Sequence, residues 1–292
     1  MGTSSPANQG EAMTHQRTSR VTLPDFLVIG AQRAGTTWLD NTLRTHPGIV
    51  MSEHRKEVHF FDQNFASGPE WYSSFFETAN APTARVGETT PHYLYHPDVP
   101  RRVAGLIPGC QLIAILRNPI DRAFSQYGHN VKSKGWTLSF EEAIEREPQI
   151  LERGNYARQL QRWLQFFDRG QLFVCMFEEV TRNPDSAAVD LGRFLRVDPS
   201  EFSWSTSRAN ASYVPRFARS YAAARGLGRM LRRTGLDPVV EAIKKAGVPG
   251  IFGSRGEVAP MNARTRARLR DYFAPDRKEL EDLLQREIRL WS

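Results

Sequence analysis

One stretch constrains this chain more than any other: Phe26-Leu-Val-Ile-Gly30-Ala-Gln-Arg33-Ala-Gly35-Thr36-Thr37-Trp38. Phe26 to Ile29 is a short apolar run that reads as a buried strand, the glycines mark a tight turn, and a helix is expected from Thr36. A strand that feeds a helix through a glycine turn leaves free backbone N–H groups and the positive end of the helix dipole facing the turn. That combination is an anion site. The spacing G-x-x-x-x-G-T-T is one residue away from the nucleotide-binding pattern G-x-x-x-x-G-K-[ST]. Thr36 stands where that pattern has lysine, and the nearest cation in sequence is Arg33, inside the loop. The sequence therefore predicts a phosphate cradle that is not built for ATP hydrolysis.

Around the cradle, further strands are expected at 49–51, ending at 86–88, at 112–116 and at 172–177. Helices are expected at 36–45, 70–76, 98–107, 139–146, 155–168 and 185–195. Asn118 is a plausible N-cap and Pro119 a first-turn proline, so another helix should run through Ser125 and His129. Two helices are expected to close the chain, split by Ala274-Pro275-Asp276, and no elements are assigned from Trp204 to Gly256. Strands alternating with helices predict an α/β fold: a P-loop-like parallel sheet covered by helices on both faces, with the site at the strands' carboxyl ends. Residues 1–20 are polar and read as a disordered lead-in, and 21–292 as a single domain.

The formal charge of +7 favours an anionic partner: nucleic acid, an acidic membrane surface, an acidic polymer or a cofactor with several phosphates. A soluble protein that is merely basic fits equally well. Cys110 and Cys175 lie in or beside apolar runs and read as buried free thiols. No run of about 18 apolar residues is present, so no membrane span is expected. The first twenty residues lack the apolar core of a secretory signal. A cytoplasmic location is the expectation.

Three further groups carry candidate chemistry. Arg117 ends the 112–116 strand, and Ser125 and His129 share a helix face four residues apart, a set suited to a second phosphate or, alternatively, an ordinary solvated surface. Lys56-Glu57-Val58-His59-Phe60-Phe61-Asp62, if extended, puts Glu57 and His59 on one face as a general base and its neighbour, or else it is a charged loop beside core phenylalanines. Arg255-Gly256 sets a cation beside a glycine. Glu88, His92 and His96 are possible acid/base residues without metal-like spacing, and Arg264, Arg266, Arg268 and Arg270 read as a solvated helix face.

Together these segments resemble the sulfotransferases that use 3′-phosphoadenosine 5′-phosphosulfate (PAPS), in particular the heparan sulfate N- and 3-O-sulfotransferase branch and its bacterial relatives. Gln32 to Thr37 is similar to the family's 5′-phosphosulfate loop, Leu116 to Ser125 to its 3′-phosphate motif, and Lys56 to Asp62 to the catalytic segment of the glycosaminoglycan branch. The resemblance implies the sulfotransferase fold, PAPS as sulfuryl donor, no metal, and a small-molecule or saccharide acceptor rather than nucleic acid. It further implies that Arg33, Ala34, Gly35, Thr36 and Thr37 hold the 5′-phosphosulfate and that Arg117 and Ser125 hold the 3′-phosphate. Arg255 and Gly256 would close over the donor. Glu57 falls on the catalytic base, His59 and Asp62 on residues that support it, and His129 on a histidine lining the same site. The chain departs from the family pattern at Arg33 and Arg255, where lysine is usual, and at Thr89, where the heparan branch has a lysine that supports transfer. A P-loop kinase and a non-catalytic binder of acidic polymer are the alternatives from other classes.

Overall fold

In the computed structural model, which describes residues 21–76, 84–204 and 260–291 and the backbone at 214–215 and 253–254, the apolar runs become the centre of a parallel sheet. Its strands are β1 (Phe26–Gly30), β2 (Ile49–Met51), β3 (Arg85–Thr89), β4 (Gln111–Leu116) and β5 (Leu172–Met176), in spatial order β2-β3-β1-β4-β5. Phe26 lies opposite Gly87 on one side and Gln111 on the other, and every neighbour in this sheet is parallel. Parallel neighbours need crossovers, which helices supply. These are α1 (Thr36–Thr45), α2 (Phe60–Gln63), α3 (Gly68–Ser73), α4 (Val99–Leu106), α5 (Pro119–Lys134), α6 (Phe140–Arg146), α7 (Gln149–Glu152) and α8 (Tyr156–Leu164). After β5 come α9 (Phe177–Arg182), α10 (Pro184–Leu195) and α11 (Ala263–Leu284). Val214–Pro215 and Gly253–Ser254 pair separately as an antiparallel ladder.

The two-residue alternation of strands sorts the core into two layers. Leu27, Ile29, Leu112 and Leu116 pack with Tyr156, Leu160 and Trp163 of α8 and with Leu280 and Leu284 of α11. Phe26, Val28, Ile113 and Ile115 face the other way, onto Leu39 and Leu43 of α1 and Leu191 and Leu195 of α10. The sheet is thus covered on both faces, as predicted. Between β1 and β4 the chain visits the edge at β2 and returns through β3, so β1 lies between strands reached in opposite directions. The carboxyl ends of these strands mark the switch point, where α/β sheets place ligands.

The structure corrects the sequence reading in two elements. Residues 263–284 form one helix with Pro275 inside it, not two helices. Buried Leu269 and Phe273 before the proline and Leu280 and Leu284 after it hold both halves in one line. Asp276 meanwhile accepts the Ala157 and Arg158 N–H groups at 3.2 and 3.4 Å, capping α8 from across the fold. The segment at 56–62 is also not extended. His59 adopts a left-handed conformation (φ 58°) and starts α2 at Phe60. Burial of Phe60 and Phe61 against Tyr72 and Tyr93 drives that turn. Among the described residues, no helix is long and apolar enough to cross a membrane.

Candidate active site

The cradle forms where β1 enters α1. Gly35, at the N-cap, has φ +94°, and a Cβ there would lie 2.5 Å from the Phe177 ring, so both conformation and space call for glycine. Arg33 is also left-handed, at φ 69°. The loop is pinned to the sheet by the Ala31 N–H, which donates to the Ile115 carbonyl at 2.7 Å, and the Ala34 N–H donates to Ala31 at 3.1 Å. No side chain caps α1 and no acid occupies its first turn. Its leading N–H groups are therefore offered to an external anion.

A second anchor stands beside the first. Arg33 Nε is 3.4 Å from Ser125 Oγ, and the Arg117 guanidinium donates to the Arg33 carbonyl at 3.4 Å while lying 5.4 Å from the centre of the Phe177 ring. The turn that carries Arg117 is braced from behind. Tyr156 donates to the Arg117 carbonyl at 2.9 Å, and the Asn118 N–H donates to Glu178 at 2.8 Å. The Asn118 side chain caps α5 through the Ile120 N–H at 3.0 Å. Arg33, Arg117 and Ser125 thus come together, and His129 lies one turn further along α5, exposed. Arg255 and Gly256 lie outside the described residues.

The third group joins the cradle from the loop between β2 and α2. Glu57 Oε2 is 3.4 Å from His59 Nε2, and His59 Nδ1 is 2.8 Å from Asp62 Oδ2. Glu57 and His59 meet as expected, but through a left-handed turn rather than along an extended face. Burial opposes the charge on His59, yet its bonds to Asp62 and Glu57 outweigh this and raise its pKa from 6.5 to about 9. Burial would raise the Glu57 carboxyl, but the His59 bond and the Lys56 charge win and hold it low. The Asp62 carboxyl is held down in the same way, against burial, by bonds to His59 and His92. The trio therefore stands as carboxylate, imidazolium, carboxylate at neutral pH.

Two contacts here escaped sequence reasoning. Lys56 Nζ donates to Thr37 Oγ1 at 3.0 Å and Thr36 Oγ1 at 3.3 Å and lies 3.6 Å from Glu57 Oε1, so in space a lysine, not only Arg33, serves the cradle. Nothing local in the sequence signals this contact, which spans about twenty residues and depends on the loop folding back over α1. His92 Nδ1 also closes to 2.9 Å on Asp62 Oδ2, in a bent contact, and its Nε2 lies 3.1 Å from Arg153. Glu88, by contrast, is fully buried and held by Tyr72, Thr90 and Tyr93, which makes it part of the frame. Thr89 is fully buried beside it. No acidic, histidine or cysteine cluster suited to a metal occurs among the described residues.

Comparison with known proteins agrees with this fold. The sulfotransferase domain family matches residues 23–213. The human bifunctional heparan sulfate N-deacetylase/N-sulfotransferase 2 is 33% identical over 198 residues, covering 61% of this chain and 22% of that protein. The mouse bifunctional heparan sulfate N-deacetylase/N-sulfotransferase 3 is 30% identical over 284 residues, covering 90% of this chain and 30% of that protein. The chain thus spans less than a third of the length of these relatives. The crystal structure of a sulfotransferase from Alicyclobacillus acidocaldarius superposes with a TM-score of 0.68 at 26% identity, covering 92% of this chain and 99% of that one. With the β1–α1 loop, the Arg33–Arg117–Ser125 group and the Glu57–His59–Asp62 trio carried by one parallel sheet, the chain belongs to the sulfotransferase family.

Proposed function

We propose that the chain transfers a sulfuryl group from PAPS to a hydroxyl, or an amine, of a saccharide or glycolipid acceptor, with Glu57 as general base. The observation that carries this reading is the join between base and cradle: one lysine touches both the Glu57 carboxylate and the hydroxyls that follow Gly35. The residues present suit the donor. The uncapped N-terminus of α1 with Arg33, Ala34, Gly35, Thr36 and Thr37 takes the 5′-phosphosulfate, and Arg117 with Ser125 takes the 3′-phosphate. The bound donor supplies the sulfuryl group and a phosphate leaving group.

Glu57 accepts the proton of the attacking hydroxyl as the hydroxyl acidifies, and the His59 imidazolium keeps Glu57 ionised until then. Asp62 orients His59, and His129 lines the same site. Arg33 and the loop N–H groups stabilise charge that develops on the leaving group. Similarity to the heparan sulfate N-deacetylase/N-sulfotransferases supports a saccharide acceptor.

Calorimetric titration with 3′-phosphoadenosine 5′-phosphate (PAP), with ATP alongside, tests the donor site. PAP should bind tightly and ATP weakly, and Arg117→Ala should lose the preference. Preference for ATP, or binding of neither, would overturn the reading. Glu57→Gln should leave PAP bound and lower turnover by roughly 10²- to 10⁴-fold, and near-normal turnover would remove Glu57 as base.

A further inference from the structure

We propose that Lys56 is a catalytic residue of the donor site: its ammonium contacts the anion held in the cradle and replaces, from another part of the chain, the lysine missing at Thr36. The inference rests on the PAPS reading above.

The geometry begins at the two threonines. A lysine ammonium has three N–H donors and no acceptor, so its bonds to Thr36 and Thr37 make both hydroxyl oxygens acceptors. Each hydroxyl proton is then directed away from Lys56 and is free to donate to an anion at the N-terminus of α1. The ammonium thereby charges the cradle directly and orients its neutral donors. Thr36 itself is buried, so position 36 cannot send a long side chain outward without disturbing the packing of α1. The cation comes instead from the loop that follows β2.

The surroundings of Lys56 are those of a charge kept for a ligand. Its side chain is 21% exposed, and its carboxylate contact, Glu57, lies at 3.6 Å, longer than a charge-assisted hydrogen bond. Burial lowers its pKa, Glu57 and Asp40 offset part of that, and Arg33 adds to the lowering. Arg33 is pushed down in turn by burial and by Arg117. The charges around the cradle include Arg33, Lys56 and Arg117, with Lys132 near enough to feel Arg33, against Glu57 and Asp40, a balance that an incoming anion improves. A loop brace does not need a partly buried cation, because an apolar side chain of the same length packs there without desolvation cost.

That contrast supplies the test. Lys56→Met keeps the stem and removes the charge, whereas Lys56→Arg keeps the charge. PAP affinity measured by calorimetry should fall tenfold or more in Lys56→Met and largely recover in Lys56→Arg. The thermal midpoint of unliganded Lys56→Met should be unchanged or higher. In the wild-type protein, PAP should also protect Lys56 from acylation, read by mass spectrometry of the peptide that contains it. PAP bound by Lys56→Met as tightly as by wild type, or Lys56 acylated equally with and without PAP, would overturn the inference and leave the donor reading intact. A wild-type protein that does not bind PAP would remove both.

Discussion

His59 sits between two carboxylates and has φ 58°, a backbone conformation that few residues other than glycine adopt. Strained side-chain-bearing residues of this kind gather where the surroundings fix them for chemistry, and Arg33 in the cradle is the other one at this site. The imidazolium also ties stability to pH. Its folded-state pKa of about 9 lies above the ordinary 6.5, so the stability it contributes is full below 6.5 and is lost as pH rises through 9. His59→Gln should accordingly be less stable than wild type at pH 6 by on the order of 2 kcal/mol, discounted for partial exposure, with the gap mostly closed at pH 10. Denaturant titrations at the two values check this. A gap of equal size at both would mean that His59 contributes by packing alone. Glu57 and His59 were legible in the sequence as a candidate pair, and Asp62 entered only through the family resemblance. Their geometry was not legible, because the left-handed turn at His59 is set by aromatic burial from α3 and the β3–α4 connection.

At the scale of elements, signals local to the chain read correctly and signals overruled by packing did not. The glycine turn, the Asn118 cap with Pro119, and the apolar runs of β1 and β4 each act within a few residues, and each stands where the sequence placed it. Pro275 is a local break signal that α11 overrides with buried residues on both sides. Lys56 meets the cradle only once β2 has been laid beside β3, an event that no short window of sequence encodes. Gly35→Ala tests the turn itself. It adds a Cβ 2.5 Å from Phe177 at positive φ, so it should destabilise the fold by about 1–3 kcal/mol and weaken PAP binding together. In Gly35→Ala/Phe177→Leu, relief of the clash should restore part of the stability while the backbone strain remains. No recovery in the double variant would place the whole cost in the backbone.

Across the whole molecule, the proposed donor grip lies at the centre of the sheet. Arg33 to Thr37 follow β1, Arg117 follows β4, and these strands pair through Phe26 to Gly30. A ligand held there stabilises the native state as a unit, so PAP at a hundred times its dissociation constant should add about 2.7 kcal/mol. In a chain of this size the thermal midpoint should rise by about 4 °C, and ATP at equal concentration should give less. Equal shifts from the two nucleotides would count against a built 3′-phosphate site. The Glu57 loop hangs differently. It leaves β2, which pairs with β3 alone at the sheet's margin. The residue that would deprotonate an acceptor is thus fastened at the rim, while the donor grip is fastened at the hub apart from Lys56, which the rim loop lends to it. Variation in the rim loop beyond Lys56 and Glu57 leaves the central ladder uncut, so that loop can change without unmaking the sheet that carries Arg33 and Arg117.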